Sequence, residues 1–187
     1  MKHFLILTQM LLFGCLFVAN PVAAQQDRTL EADLLQLKRQ LRQVQLRFPE
    51  LDGQVLEVGT FVESDSYFQS NFDALSLLGP RPIYRIEVNP RIFALDCPPA
   101  AIEAVLAHEL AHTLDYVRGG LAGILGIGWQ LLVGPAPYER RTDLQAIFRG
   151  FGPGLRQYRL WLYAQLSPEQ LLRKRPSRPA SNSRPAG

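Results

Sequence analysis

Cysteine and histidine are both scarce in this chain of 187 residues, which holds two cysteines and three histidines. Cys15 and His3 fall in an N-terminal segment that carries the marks of a removable one. Beyond it remain a single cysteine, Cys97, and two histidines, His108 and His112. One cysteine forms no intrachain disulfide, so a disulfide scaffold is excluded. A four-cysteine zinc knuckle and a three-histidine zinc site are excluded with it. Uninterrupted apolar runs are short too: none reaches the ~20 residues of a membrane-spanning helix. A basic stripe is also missing. Residues 25–172 carry 14 Lys or Arg against 17 Asp or Glu, so no nucleic-acid partner is expected. The alkaline balance comes from the two ends of the chain.

What is present describes a globular protein, 47% apolar and 20% charged. Lys2 precedes an apolar run from Phe4 to Ala19, broken by Thr8, Gln9 and Gly14, and Val22-Ala23-Ala24 supplies small residues before a cut. This reads as a signal peptide over residues 1–24, so the mature chain is expected in the periplasm, the cell envelope or the medium. Lipid attachment at Cys15 is disfavoured by bulky Phe13 before it. At the other end, residues 173–187 hold five basic residues and no acid among Pro and Ser, and read as a solvated tail.

Between these ends, Leu30, Leu34, Leu37, Leu41 and Val44 recur at helical spacing. They predict an amphipathic helix over about 28–47, within an N-terminal unit 25–50 that packs on the domain rather than forming a coiled coil. Alternation predicts strands at Leu56–Val62 and at Ile83–Asn89, with the polar stretch Ser64–Pro82 between them as a loop or lid. Pro98-Pro99 opens a helix that runs to Arg118 and stops at Gly119-Gly120. The segment Leu121–Gly134 has no charge and is too short to span a bilayer. Helices over Tyr138–Arg149 and from the Gly150–Gly154 turn to about Leu166 follow, with a short one after Ser167. The folded unit is expected over 51–172.

The chemistry gathers on two of these helices. His108-Glu109-Leu110-Ala111-His112 places two imidazoles four residues apart on one helix face, where both reach one Zn²⁺. Glu109 projects beside them, placed to take a proton from water and pass it to a leaving amine. A catalytic zinc needs a third protein ligand and an open position. No histidine remains, and Cys97 lies three turns away on the same helix, so the third ligand is a carboxylate. Asp115 shares the face of His112 but is short. Glu139 and Asp143 lie on the next helix in an E-x-x-x-D spacing. One of them can bind the metal while the other orients an imidazole.

H-E-x-x-H followed by E-x-x-x-D resembles the gluzincin zinc metallopeptidases, the minimal gluzincins in particular. The resemblance covers roughly Ile83 to Leu166. It implies one zinc held by His108, His112 and Glu139, with Glu109 as general base and Asp143 supporting a histidine; Asp115, on the face of His112, is a further candidate for such support. It implies a small α+β zincin-like domain, mostly helical, with a short antiparallel sheet next to the active-site helix. It also implies an edge strand that pairs with extended substrate, a place that Tyr84, Ile86 and Val88 occupy here. The further histidine that stabilises the oxyanion in thermolysin-like members is absent. Tyr116, Tyr138, Tyr158, Tyr163, Arg156 and Arg159 are available for that task, with Tyr158 and Arg159 on the helix after the glycine turn. The expected function is a zinc endopeptidase acting on peptides or proteins outside the cytoplasm. The competing expectation is a non-catalytic, zinc-stabilised scaffold of the envelope. Leu121–Gly134 or the basic tail offers peripheral membrane contact under either reading.

Overall fold

A computed structural model gives the structure of the chain and describes residues 21–63, 66–133, 135–167 and 169. Most of the segment read as a signal peptide, the basic tail and the short helix after Ser167 lie outside these residues. Helix α1 (Pro21–Gln45) starts earlier than the leucine spacing indicates, because proline is well tolerated in a first helical turn. Its stripe turns inward at Leu37, Leu41 and Val44, all buried, and Phe48 and Leu51 continue the same core after the helix ends. The N-terminal helix is therefore built into the domain core.

Three strands follow: β1 (Val55–Thr60), β2 (Phe68–Phe72) and β3 (Ile83–Val88), in the order β1-β3-β2. The fold is α+β, as expected, but the sheet is mixed rather than antiparallel. β1 runs parallel to β3, and only β2 is antiparallel to it. The strand β2 lies inside the stretch read as a loop. Its Gln69, Ser70 and Asn71 hide the alternation, since Phe68, Ser70 and Phe72 share one face while Gln69 and Asn71 bond Glu87 on the other. This moves β3 from the edge to the centre. Tyr84, Ile86 and Val88 are buried core residues, and β3 has no free edge for substrate.

Helix α2 (Pro99–Val133) is one run broken at Gly120, whose φ of 53° and ψ of −157° only glycine adopts without strain. The stop read at Gly119-Gly120 is thus a break, after which residues 121–133 resume helix. Among the described residues no helix is long and apolar enough to cross a membrane. Helix α3 (Pro135–Ala146) passes through a π-helical turn, Ile147–Phe151, into α4 (Gly152–Ala164), with Gly150 in the left-handed region at φ 97°. The buried face of α2, including Leu106, Leu110 and Leu114, carries the sheet, α1 and α4. At the crossing with α4, Gly154 lies so close that an added Cβ would sit 2.3 Å from the Ala100 carbonyl oxygen.

Arg149 ties the α3–α4 turn to the end of α1. It lies over the Phe48 ring at 4.3 Å, pairs with Glu50 at 2.8 Å and donates to the Arg47 carbonyl at 3.1 Å. Because stem and charge are both engaged, Arg149→Ala should cost about 1–2 kcal/mol, read as a lower urea midpoint with an unchanged slope.

Candidate metal centre

The first stretch of α2 aligns His108, Glu109 and His112 over one turn, with neighbours Ala107, Leu110 and Ala111 fully buried. Packing on both flanks fixes the roll of the helix, so the two imidazoles have little freedom in where they point. Their Nε2 atoms are 3.0 Å apart. From α3, Glu139 Oε2 lies 3.3 Å from His108 Nε2 and 3.7 Å from His112 Nε2. These three residues form a group that could hold a metal ion.

The fit is quantitative. Tetrahedral zinc with bonds near 2.05 Å separates its ligand atoms by about 3.3 Å. The three observed separations bracket that value, and the point equidistant from the donor atoms lies about 2 Å from each. Other groups hold the imidazoles so that Nε2 faces this point. His108 donates from Nδ1 to Asp143 Oδ1 at 3.0 Å. His112 Nδ1 lies 3.0 Å from the Tyr138 hydroxyl, and Thr142, bonded to the Tyr138 carbonyl, closes in behind it. A carboxylate only accepts, so Asp143 fixes the Nδ1–H tautomer and leaves the Nε2 lone pair of His108 free for a metal.

Without a cation, the cluster attracts a proton instead. Burial opposes charge on His108, but Asp143 and Glu139 outweigh it and push its pKa up to about 10. Hydrogen bonds to His108 and His112 hold the Glu139 carboxyl far below the usual range. Metal binding must displace this proton, so zinc binding at pH 8 should release about one proton per ion. Titration calorimetry in buffers of differing ionisation enthalpy measures it.

Compared with protein-family models, curated proteins and solved structures, the chain matches none. The meaning of the site therefore rests on its own geometry.

Glu109 is buried beside the imidazoles; burial raises its pKa, while the two histidines and a hydrogen bond from the Ser70 backbone N–H pull it down. Ser70 also bonds Thr113 at 2.8 Å, and Thr113 donates to the Glu109 carbonyl. Strand β2 is thus pinned to α2 at the site. The flanking Tyr67 carbonyl and Asp73 N–H pair with the β3 side, so Phe68, Ser70 and Phe72 turn their backbone groups to the outer edge. There the Ser70 N–H bonds Glu109, the Phe72 N–H bonds Asn71 Oδ1 and the Phe68 carbonyl accepts from Ser66. That edge borders a cleft of about 640 Å³ that also holds His108, Glu109, His112, Glu139 and Asp143. The signal for β2 was present in Phe68-x-Ser70-x-Phe72, an alternation with serine at its centre.

Asp115 does not support a histidine: its carboxylate pairs with Arg141 at 2.9 Å and takes a bond from Gln145. Its short side chain meets α3 instead, where Arg141 lies over the Tyr138 ring. Tyr158 lines the cleft, its ring edge-on to Phe68 and stacked on Trp161; burial and the nearby charge of Glu109 raise its pKa. Tyr116 lines the cleft against Phe72, pushed up to about 12 by burial and by Glu109. Tyr163 and Arg159 also line it, the latter bonded to Asp143, whereas Arg156 does not. Cys97 is no part of the group, and burial pushes its thiol up to about 11. Sequence reasoning missed Tyr138 as the partner of His112; its place directly before Glu139 was the available sign. Tyr138→Phe should weaken zinc binding about 10–100-fold, measured by competition with a chromophoric chelator.

Proposed function

We propose that the chain is a zinc-dependent endopeptidase of gluzincin type, acting on peptides or proteins outside the cytoplasm. One observation carries this reading: Glu109 stands beside the His108–His112–Glu139 group, in a cleft whose wall includes the outer edge of β2. Bound there, zinc would supply Lewis acidity and make a water acidic enough to lose its proton near neutral pH. Glu109 accepts that proton and holds it for the leaving amine. An extended substrate adds along the outer edge of β2, where the Ser70 and Phe72 carbonyls accept from the peptide main chain. Tyr158 and Tyr116 offer hydroxyls toward charge that develops on the carbonyl oxygen. Asp143 and Tyr138 keep the imidazoles in register throughout. A purely structural zinc site has no use for a buried carboxylate at Glu109, which disfavours the scaffold reading.

Metal analysis joined to a peptide-cleavage assay tests the proposal. One zinc per chain is expected, lost in Glu139→Ala and kept in Asp115→Ala. Cleavage should stop with a chelator and return with zinc. Cleavage that survives full removal of the metal would sink the reading.

A further inference from the structure

Arg159 is the one permanently cationic side chain among the described residues that line the cleft, where Glu109, Glu139 and Asp143 supply three carboxylates. It comes from α4, and its side chain is 57% exposed. One guanidinium nitrogen, Nη2, is bonded to Asp143 Oδ2, while Asp143 Oδ1 takes the Nδ1–H of His108. No other partner of the guanidinium occurs among the described residues. An arginine offers five N–H donors in a rigid fork. One nitrogen of this fork is held, and the side chain is otherwise more than half exposed where it lines the cleft.

The geometry points to Arg159 as a specificity residue that receives a carboxylate of the substrate. Resting on the peptidase reading, this names the substrate class: peptides with a carboxylate close to the scissile bond. Charge sets the place. Away from the metal position a carboxylate meets the charges of Glu109, Glu139 and Asp143, whereas at Arg159 it finds a charge-matched donor. The bond to Asp143 tethers one nitrogen of the fork and leaves its other donors for a planar anion. Arg159 is two hydrogen-bonded groups from the metal position, so the residues it meets lie within a few positions of the cleaved bond. The carboxylate has two sources, the C-terminus of the substrate or an acidic side chain.

The test uses the zinc-loaded Glu109→Gln chain, which binds without turnover, and four fluorescein-labelled octapeptides. These combine a free or amidated C-terminus with Glu or Gln at an internal position, in an otherwise apolar sequence. By anisotropy, one kind of carboxylate should tighten binding about tenfold over its neutral counterpart, the size of one charge-assisted bond. Selectivity for the free C-terminus assigns the terminal carboxylate, and selectivity for Glu assigns the side chain. Adding Arg159→Gln should bring that ratio to about one, and Arg159→Lys should restore part of it. A merely structural role for Arg159 would weaken all four peptides alike. Equal binding of the four, no binding of any, or a ratio that persists in Arg159→Gln overturns the inference. Cleavage by the unaltered chain separates the two readings. Hydrolysis without carboxylate preference spares the peptidase and removes the role of Arg159. Carboxylate-selective binding without hydrolysis does the reverse.

Discussion

Exchange of Glu109 for glutamine is expected to lower kcat by about 10²–10⁴-fold while zinc content stays at one per chain. The substitution keeps the size of the side chain and its bond from the Ser70 N–H. It removes only the ability to accept a proton from water. Because His108, His112 and Glu139 form the metal group without Glu109, the ion is retained. KM should change little, since glutamine keeps the shape of a side chain that is buried in the cleft. Steady-state kinetics beside metal analysis checks both halves. Loss of zinc together with activity would show Glu109 to be part of the metal's support, and unchanged kcat would remove it from the chemistry.

The second large effect is on stability. A methyl at position 154 would stand 2.3 Å from the Ala100 carbonyl oxygen and 2.7 Å from the Ala104 Cβ. Both neighbours belong to α2 where it crosses α4, Ala104 fully buried, and backbone cannot swing aside as a side-chain tip can. Gly154→Ala should therefore cost about 3 kcal/mol and lower the melting temperature by roughly 6–12 °C. The two helices must part, and α4 carries Tyr158 and Arg159 while α2 carries His108, Glu109 and His112. A loss of kcat/KM at temperatures where the chain is still folded should accompany the lower melting point. Gly152→Ala serves as the comparison, because its Cβ would meet only the Ile147 side chain at 3.6 Å, an ordinary contact.

The helical part of the site was legible because its signals are local. Four-residue spacing put His108 and His112 on one face, and E-x-x-x-D did the same for Glu139 and Asp143; the structure brings all four together. The sheet was legible only in part. Val58, Ile86 and their neighbours alternate cleanly, but nothing local says which strand lies between which. That depends on long-range pairing, and the polar residues of β2 face partners as distant as Glu87 and Thr113. Missing β2 exchanged the edge and the centre of the sheet, and with them the substrate strand. Asp115 failed for a similar reason, since its pairing with Arg141 is set by how α3 lies across α2. Tyr138 acts through a contact 26 residues away in sequence, which no spacing within one helix reveals.

The ligands also span the break in α2. His112 and Glu139 are 27 residues apart, and between them lie Gly120 and the uncharged helical stretch 121–133. A metal held by both would act as a cross-link in a chain whose described residues contain no disulfide. Closing a loop of that length removes unfolded-state entropy worth about 3–4 kcal/mol in the chain-entropy model. Amide exchange over residues 113–138 should accordingly slow when zinc is added, more than it does in the strands.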